Sequence, residues 1–525
     1  MTAKSKQTHA LPQQVDGNSE TQFVAISDSG ESTPLMALDF ESDEWVGAIY
    51  SDPKRLSLSV KAQCFHKCNA KGEPVSVNDA RIYKYIIHTQ HIIICGGIAY
   101  IYRNGYYNED LDGTILQSMI SDCILEQFDT SSVVSRIHKK FFQKDELTKR
   151  QEDLNAYSPW YINFENGMYD VKRNRLYAHS PKIYSINQIP HSYDPNGDHG
   201  SGNEIEKFLR FAIPDRSDRQ MLLEYIGLCM TTDTSQQKMM VIQGEGGTGK
   251  STLINLIQDI VGKRNISNVS LTELQQRFKP ILMMGKLMNT CADLEIDALD
   301  DVSMVKKLIG EDDIDGEHKG LRPLSFHNYA KLLFSTNELP LVRNEKTKGF
   351  FRRLLVLTMN REPETQDKDL KTKLRNEIGY LIHISIVALR EMYLREGGSI
   401  TVSKSSEMAT RQLRLDSDTV EAFLNEKCEL TGNNADTISR NVIYDEYENY
   451  CKEEGRQAHS KTNLFKALRN KKVNEGRTAK DRFFRGIKLI DNTVDDQGYM
   501  VVPEAKPGDA LFEELEGNTA TPFTS

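Results

Sequence analysis

Apolar residues along this chain recur at spacings that switch between helical and strand-like, and the switches delimit the elements. Residues 1–35 are polar, with little periodicity, and read as a flexible arm. From about Leu38 to Gly197 strand-like and helix-like segments alternate, which predicts an α+β accessory domain over residues 36–200. His91–Cys95 and Ala99–Tyr102 read as strands around Gly96-Gly97, and Tyr161–Phe164 and Met168–Val171 as a hairpin closed by Asn166-Gly167. His191–Gly202, rich in Pro, Gly, Asp and Asn, reads as a linker. Ile205 to about Met230 has helical spacing, with Phe208, Phe211, Leu222, Ile226 and Met230 on its apolar face. Lys238–Gln243 is a short apolar strand, followed by a glycine loop and a helix from about Ser251. This order recurs to about Met359, and Leu370 to about Glu396 is helical again, so residues 201–410 read as an α/β domain. A small unit over residues 411–490 and an acidic tail over 491–525 complete the chain.

The glycine loop carries the firmest chemistry. Gly244-Glu245-Gly246-Gly247-Thr248-Gly249-Lys250-Ser251 fits G-x-x-x-x-G-K-[ST] at every fixed position, with an apolar strand before it and a helix, opening on Thr252, after it. Glycines let backbone N–H groups turn inward around phosphates, and the helix N-terminus adds partial positive charge. Lys250 would reach the β- and γ-phosphates of ATP, and Ser251 would ligate Mg²⁺. A glycine-rich turn matching by chance is the bland alternative, and the strand and helix on the correct sides weigh against it.

Further pieces follow in order. Gly285 to Glu295 reads as a strand ending in acids, and Asp293 and Glu295, two apart, share one face of it. One could organise the Mg²⁺ shell, a role given to Asp293, while Glu295 orients water; an acidic loop is the competing reading. Leu332–Thr336 is an apolar strand ending at Asn337, whose amide can bond the attacking water or the γ-phosphate, or simply begin a turn. Arg352 and Arg353 precede another apolar strand, and a fixed guanidinium there can stabilise charge on a transferring phosphoryl group; from charge alone the pair reads rather as surface cations at a strand start. Between the acids and Asn337, Lys306 to Lys319 reads as a helix end, then a hairpin around Gly316, then Lys319. Such a basic-tipped loop could hold a nucleic-acid backbone, but its acids argue against an indiscriminate basic patch, and taken alone it reads rather as a solvated loop.

Taken in order, these motifs resemble a superfamily 3 helicase core, an AAA+ type P-loop ATPase, and among these the phage/plasmid primase–helicase family. Tyr161–Val171 and Ser185–Pro190 resemble that family's N-terminal accessory region. The resemblance implies a ring, usually hexameric, with ATP between neighbouring subunits. It implies that Asn337 is a sensor, that Arg352 or Arg353 reaches the neighbour's γ-phosphate, and that Lys307 and Lys319 belong to a DNA-contacting element. The adjacent arginines leave the choice of finger open.

Charge changes the picture at the C-terminus. The chain carries 66 Lys+Arg against 75 Asp+Glu, a net charge of −9, which by itself argues against a simple nucleic-acid coat. Yet Cys451–Ile490 holds 12 Lys or Arg against 4 Asp or Glu. Helical spacing over Thr419–Cys428, Val442–Tyr450 and Lys461–Leu468, then a basic strand pair around Arg485-Gly486, suggests a winged helix. Lys461 and Lys466 would lie on the third helix and Arg482 and Arg485 on the wing, all facing duplex DNA; a solvated face on a packing domain is the alternative.

Other features narrow the classes. No run of about 18 apolar residues predicts a membrane span, and no basic-then-apolar leader opens the chain, so a cytoplasmic setting is expected. The 8 Cys are sparse and irregularly spaced, which suits a reducing compartment. Cys64, Cys68 and Cys95 could form only a partial zinc site, and free buried thiols are the expected state. Residues 1–90 lack the clustered carboxylates of a primase. The expectation is therefore a DNA helicase starting replication of a mobile element. A primase–helicase, an origin-binding ATPase that remodels without translocating, and a small-molecule P-loop kinase are the alternatives.

Overall fold

The computed structural model describes residues 24–26, 32–34, 52–291, 302–317, 323–342, 348–454, 456, 458–471, 473–478 and 481–490. Most of the arm, the acidic tail, Asp293, Glu295 and Lys319 lie outside the described residues. The chain divides into two units, one ending at Arg411 and the other beginning at Gln412.

The first unit includes helices α1 (Leu58–Phe65), α2 (Asp79–Thr89), α3 (Thr114–Cys123) and α4 (Ser131–Phe141). They close on a core that includes Phe65, Tyr85, Ile120, Ile137 and Phe141. Strands β1 (Ile92–Cys95), β2 (Ile98–Arg103) and β3 (Tyr106–Asp110) form an antiparallel meander, β1 and β2 turning at Gly96-Gly97 as the pattern predicts. A second meander joins β4 (Tyr161–Phe164), β5 (Gly167–Asp170) and β6 (Arg175–Tyr177). Phe164 pairs with Gly167, so the turn residues are Glu165-Asn166, one earlier than the Asn-Gly reading. Ile162, Phe164 and Tyr169 of this meander share one apolar core with the parallel sheet described next.

The long helical stretch is two helices, α5 (Asn203–Ala212) and α6 (Arg216–Cys229). Pro214 cannot continue the backbone ladder of α5, and Asp215 caps α6 by accepting from the Asp218 N–H at 2.9 Å. The break resets the helical phase. Phe208, Leu222, Ile226 and Met230 are buried as expected, but Phe211 is 40% exposed.

Five parallel strands follow: β7 (Met239–Gln243), β8 (Ile266–Ser267), β9 (Met288–Cys291), β12 (Lys331–Thr336) and β13 (Leu354–Thr358). Their spatial order is β8-β9-β12-β7-β13. β7 and β12 are nearly continuous buried runs because parallel strands at the centre of such a sheet are covered on both faces. Helix α7 (Lys250–Val261) follows β7, α8 (Ser303–Ile309) precedes a hairpin of β10 (Asp313–Gly316) and β11 (Leu324–His327), and α9 (Leu370–Asn376) and α10 (Ile378–Leu394) end the sequence of elements relevant here. Gly316 is a strand residue paired with Leu324 and not the turn: a Cβ on it would sit 2.7 Å from Ile281 Cδ1. The glycine serves a close approach.

Lys331 opens β12 as a buried cation. Its Nζ donates to the Thr231 carbonyl at 2.6 Å and the Tyr329 carbonyl at 2.9 Å, and burial pushes its ammonium down to about 8. No helix among the described residues is long and apolar enough to cross a membrane.

The second unit holds α11 (Thr419–Lys427), β14 (Cys428–Glu429), β15 (Thr437–Ser439), α12 (Arg440–Glu453) and α13 (Lys461–Asn470), then β16 (Asn474–Arg477), β17 (Arg482–Arg485) and β18 (Lys488–Leu489). Phe423, Tyr447, Leu464, Leu468 and Phe484 are among its core residues. The basic hairpin pairs β16 with β17, while β18 pairs with β14. The strand pair thus lies earlier than the one expected around Gly486, where the chain instead bends with φ 80°.

Candidate functional site

The glycine turn leaves the carboxyl end of β7, between β12 and β13. Ligands of open α/β sheets bind beyond the carboxyl ends of strands. The turn needs its glycines. Gly247 and Gly249 hold φ 82° and 94°, which side-chain-bearing residues rarely adopt, and a Cβ on Gly244 would lie 2.0 Å from the Met359 carbonyl. Thr248 Oγ1 donates to the Glu245 carbonyl at 2.9 Å and locks the loop from within.

Lys250, first residue of α7, reaches back across this turn. Its Nζ contacts the Gly244 carbonyl, donates to the Glu245 carbonyl at 2.8 Å and to Asn337 Oδ1 at 3.1 Å. Asn337 immediately follows β12, and β12 pairs directly with β7, so the sheet order brings together two residues far apart in the chain. Ser251 and Thr252 open α7 beside them.

These groups line a cleft of about 1040 Å³. Its walls include Gly246–Thr252, Ser335 and Asn337, together with residues that sequence reasoning missed: Lys207, Phe208, Phe211, Arg361 and Lys371. Arg361 lies just past β13, and its position after an apolar strand of this sheet was the available signal. Glu362 also faces the turn, its Oε1 2.7 Å from where a Cβ on Gly247 would be. The turn offers backbone and the Lys250 ammonium to an anionic ligand, in a cleft lined by Lys207, Arg361, Lys368 and Lys371 and also by Glu204, Glu362, Glu364 and Asp367, and Ser251 supplies an oxygen suited to a hard cation. The acids proposed to complete the cation shell, Asp293 and Glu295, follow β9, which ends at Cys291, and lie outside the described residues.

Arg352 and Arg353 lie elsewhere. They precede β13 at Leu354, which pairs with Met239 at the amino end of β7, whereas the glycine turn leaves its carboxyl end. A five-residue strand at about 3.3 Å per residue separates them from the turn by about 15 Å. The two arginines differ. Arg353 Nη1 donates to the Gly349 carbonyl at 2.6 Å, and its Nη2 lies 3.5 Å from Gln237 Oε1. Arg352 has an exposed side chain, and its carbonyl accepts from Lys238 Nζ at 2.6 Å. Burial and then the Arg352 guanidinium hold the Lys238 ammonium below its usual range.

Lys307 is exposed near the end of α8, before the β10–β11 hairpin; Lys319 falls in the segment between those strands, outside the described residues. In the second unit, Lys461 and Lys466 are exposed on α13, and Arg482 and Arg485 on β17. Lys461 Nζ sits 4.9 Å from the Tyr444 ring centre and Arg485 stacks 5.3 Å from that of Phe483. Register places Arg477 directly opposite Arg482. Cys64 and Cys95 are buried, Cys68 is exposed, and Cys95 Sγ contacts Gln151 Oε1 at 3.3 Å.

Two family models match the chain. One, described as D5 N terminal like, covers residues 80–214; the other, a family of unknown function (DUF5906), covers residues 242–353. The chain is 24% identical over 318 residues to "Putative helicase L207/L206" of Acanthamoeba polyphaga mimivirus, covering 52% of this chain and 33% of that protein. It is 22% identical over 269 residues to "Putative helicase 121R" of Invertebrate iridescent virus 3, covering 48% and 28%. The matches thus span about a third of these curated relatives. Among solved structures, the apo NrS-1 C terminal region aligns over 78% of this chain and 98% of that one, at 14% identity and a TM-score of 0.44. An A form apo structure of the same region aligns over 78% and 99%, at 14% identity and a TM-score of 0.43. These matches agree with the resemblance drawn from the motifs: residues 80–214 carry a D5 N terminal like region, and about half of the chain is similar to viral proteins named putative helicases.

Proposed function

We propose that this chain is an ATP-driven DNA helicase that serves the replication of a phage or other mobile element. The observation that carries the reading is the meeting of Lys250 and Asn337 at the glycine turn, at the carboxyl end of a parallel sheet ordered β8-β9-β12-β7-β13. That order suits a P-loop ATPase of AAA+ type, because the strand inserted beside β7 delivers a polar sensor to the phosphate loop. Lys250 would hold the β- and γ-phosphates of ATP, Asn337 would orient the γ-phosphate or its attacking water, and Ser251 with Asp293 would hold Mg²⁺. Magnesium would neutralise charge on the phosphate oxygens. Glu295 would position water.

The arginine corner supports a ring, hexameric by the resemblance. Its distance from the subunit's own turn leaves it no role there, and a guanidinium serves transfer only when it reaches the phosphates. In a closed ring each subunit presents one face to the next one's cleft. Of the two, Arg352 is the finger, since Arg353 is tied to the Gly349 carbonyl of its own chain. Lys307 and Lys319 would contact single-stranded DNA in the channel.

The second unit reads as a winged helix: three helices and a β16–β17 hairpin, with Lys461, Lys466, Arg482 and Arg485 exposed on helix and wing. Arg477 opposite Arg482 is a like-charge pair that costs stability unless an anion lies between them. Duplex DNA phosphates supply that anion. The reading is tested by ATP hydrolysis with and without DNA. Turnover should rise with DNA in the wild type and vanish in Lys250→Ala.

A further inference from the structure

Helix α5 carries two stripes at the same helical spacing. Ile205, Phe208, Leu209 and Ala212 are buried in the main core. Glu204, Lys207, Phe208 and Phe211 occupy the i, i+3, i+4, i+7 positions of a second stripe, and all four line the cleft at the glycine turn. Phe208 belongs to both, and its ring lies 3.2 Å from where a Cβ on Gly249 would be. The helix is held in place at its start: Glu377 Oε2 accepts from the Glu204 and Ile205 N–H groups at 2.8 and 2.9 Å. Leu370 and Lys371 of α9 line the same cleft.

Phe211 is the anomaly. Two phenylalanines among the described residues are exposed, Phe211 at 40% and Phe278 at 45%. Phe278 carries the Arg277 guanidinium over its face, 5.3 Å from the ring centre. Phe211 instead opens onto the cleft, beside the cations Lys207 and Lys371. An aromatic face at the edge of the glycine turn, in a cleft that also holds Leu370, matches the flat ring of a nucleobase.

We infer that Phe211 is the stacking platform for the nucleobase, with Leu370 and the stem of Lys371 closing on the other face and Lys207 lying toward the phosphates. The inference rests on the nucleotide-binding reading and adds the subsite that holds the base. Phe211 is a positioning residue: it fixes the nucleoside so that the triphosphate enters the turn in one register. Its ring contributes through area and stacking, so Trp can replace it and Ala cannot.

The test is calorimetric binding to the purified full chain, with Mg²⁺, of two probes: ADP, which has a base, and inorganic tripolyphosphate, which has none. Phe211→Ala should weaken ADP about tenfold or more and leave tripolyphosphate unchanged, and Phe211→Trp should restore ADP binding. Equal ADP affinity in Phe211→Ala and wild type, with tripolyphosphate also bound, overturns the platform while leaving the phosphate site standing. Equal loss of both probes in Phe211→Ala overturns it as well, because the ring would then be supporting the turn. Failure of the wild type to bind either probe removes the nucleotide reading and this inference with it.

Discussion

Lys250 Nζ lies 3.1 Å from Asn337 Oδ1, so two residues 87 positions apart share one hydrogen bond at the mouth of the glycine turn. The bond ties the loop after β7 to the end of β12. Lys250→Ala should abolish hydrolysis, because the charge on the β- and γ-phosphates loses its counterion. Asn337→Ala should lower kcat by about 10²–10³-fold while ADP binding changes little, since it removes one donor that acts on the transferring group. Steady-state hydrolysis beside ADP calorimetry separates the two.

The arginine pair should split by phenotype. Arg353→Ala should cost about 1–3 kcal/mol of stability, because it strips the Gly349 carbonyl of its charged donor. Arg352→Ala, on an exposed side chain, should stay within about 0.5 kcal/mol. Urea unfolding reads both. In mixed rings Arg352→Ala should depress hydrolysis more than its share of subunits. A proportional fall would mean that the finger acts within one chain or is another residue.

Much of this arrangement is legible in the sequence where the signal is local. The glycine turn is legible because its strand, glycines and helix are contiguous, and Asn337 because an apolar run stops there. Their contact is not legible, since it depends on β12 inserting beside β7, a non-local pairing. Helical spacing read without a break puts Phe211 on the core face; Pro214 and Asp215 divide the stretch, and the phase changes. Gly316 reads as a turn because a glycine between charged residues usually is one, whereas here Ile281 presses against the strand. Strand β16 is Asn-Glu-Gly-Arg, without the β-branched or aromatic residues that mark a strand, so the pattern places the hairpin later in the chain.

Lys331 predicts a pH dependence. The folded chain sheds this proton near pH 8, whereas the unfolded chain holds it to about 10.5. Between those values the unfolded state binds more protons, so raising the pH favours the folded state. Stability of the wild type minus that of Lys331→Met, both in a Cys229→Ala background because the Lys331 charge acts on that buried thiol, should rise by about 3 kcal/mol from pH 8 to 10.5. Urea midpoints at several pH values check it; a flat difference would show that Lys331 titrates normally.

Cations of the second unit should act by phosphate contact. Lys466→Ala, Arg482→Ala and Arg485→Ala should each lower the slope of log affinity against log salt by about 1, for any duplex sequence. Removing residues 418–525 should weaken DNA recruitment and leave hydrolysis without DNA measurable. Fluorescence anisotropy across a salt series reads the slopes.

Strand displacement on tailed duplexes, with and without ATP, bears most directly on the claim that hydrolysis at the glycine turn moves DNA. The account predicts that wild type releases the displaced strand only when ATP is present and that Lys250→Ala releases none. A wild-type chain that turned over ATP at full rate as a lone monomer, indifferent to DNA and leaving the duplex intact, would contradict it.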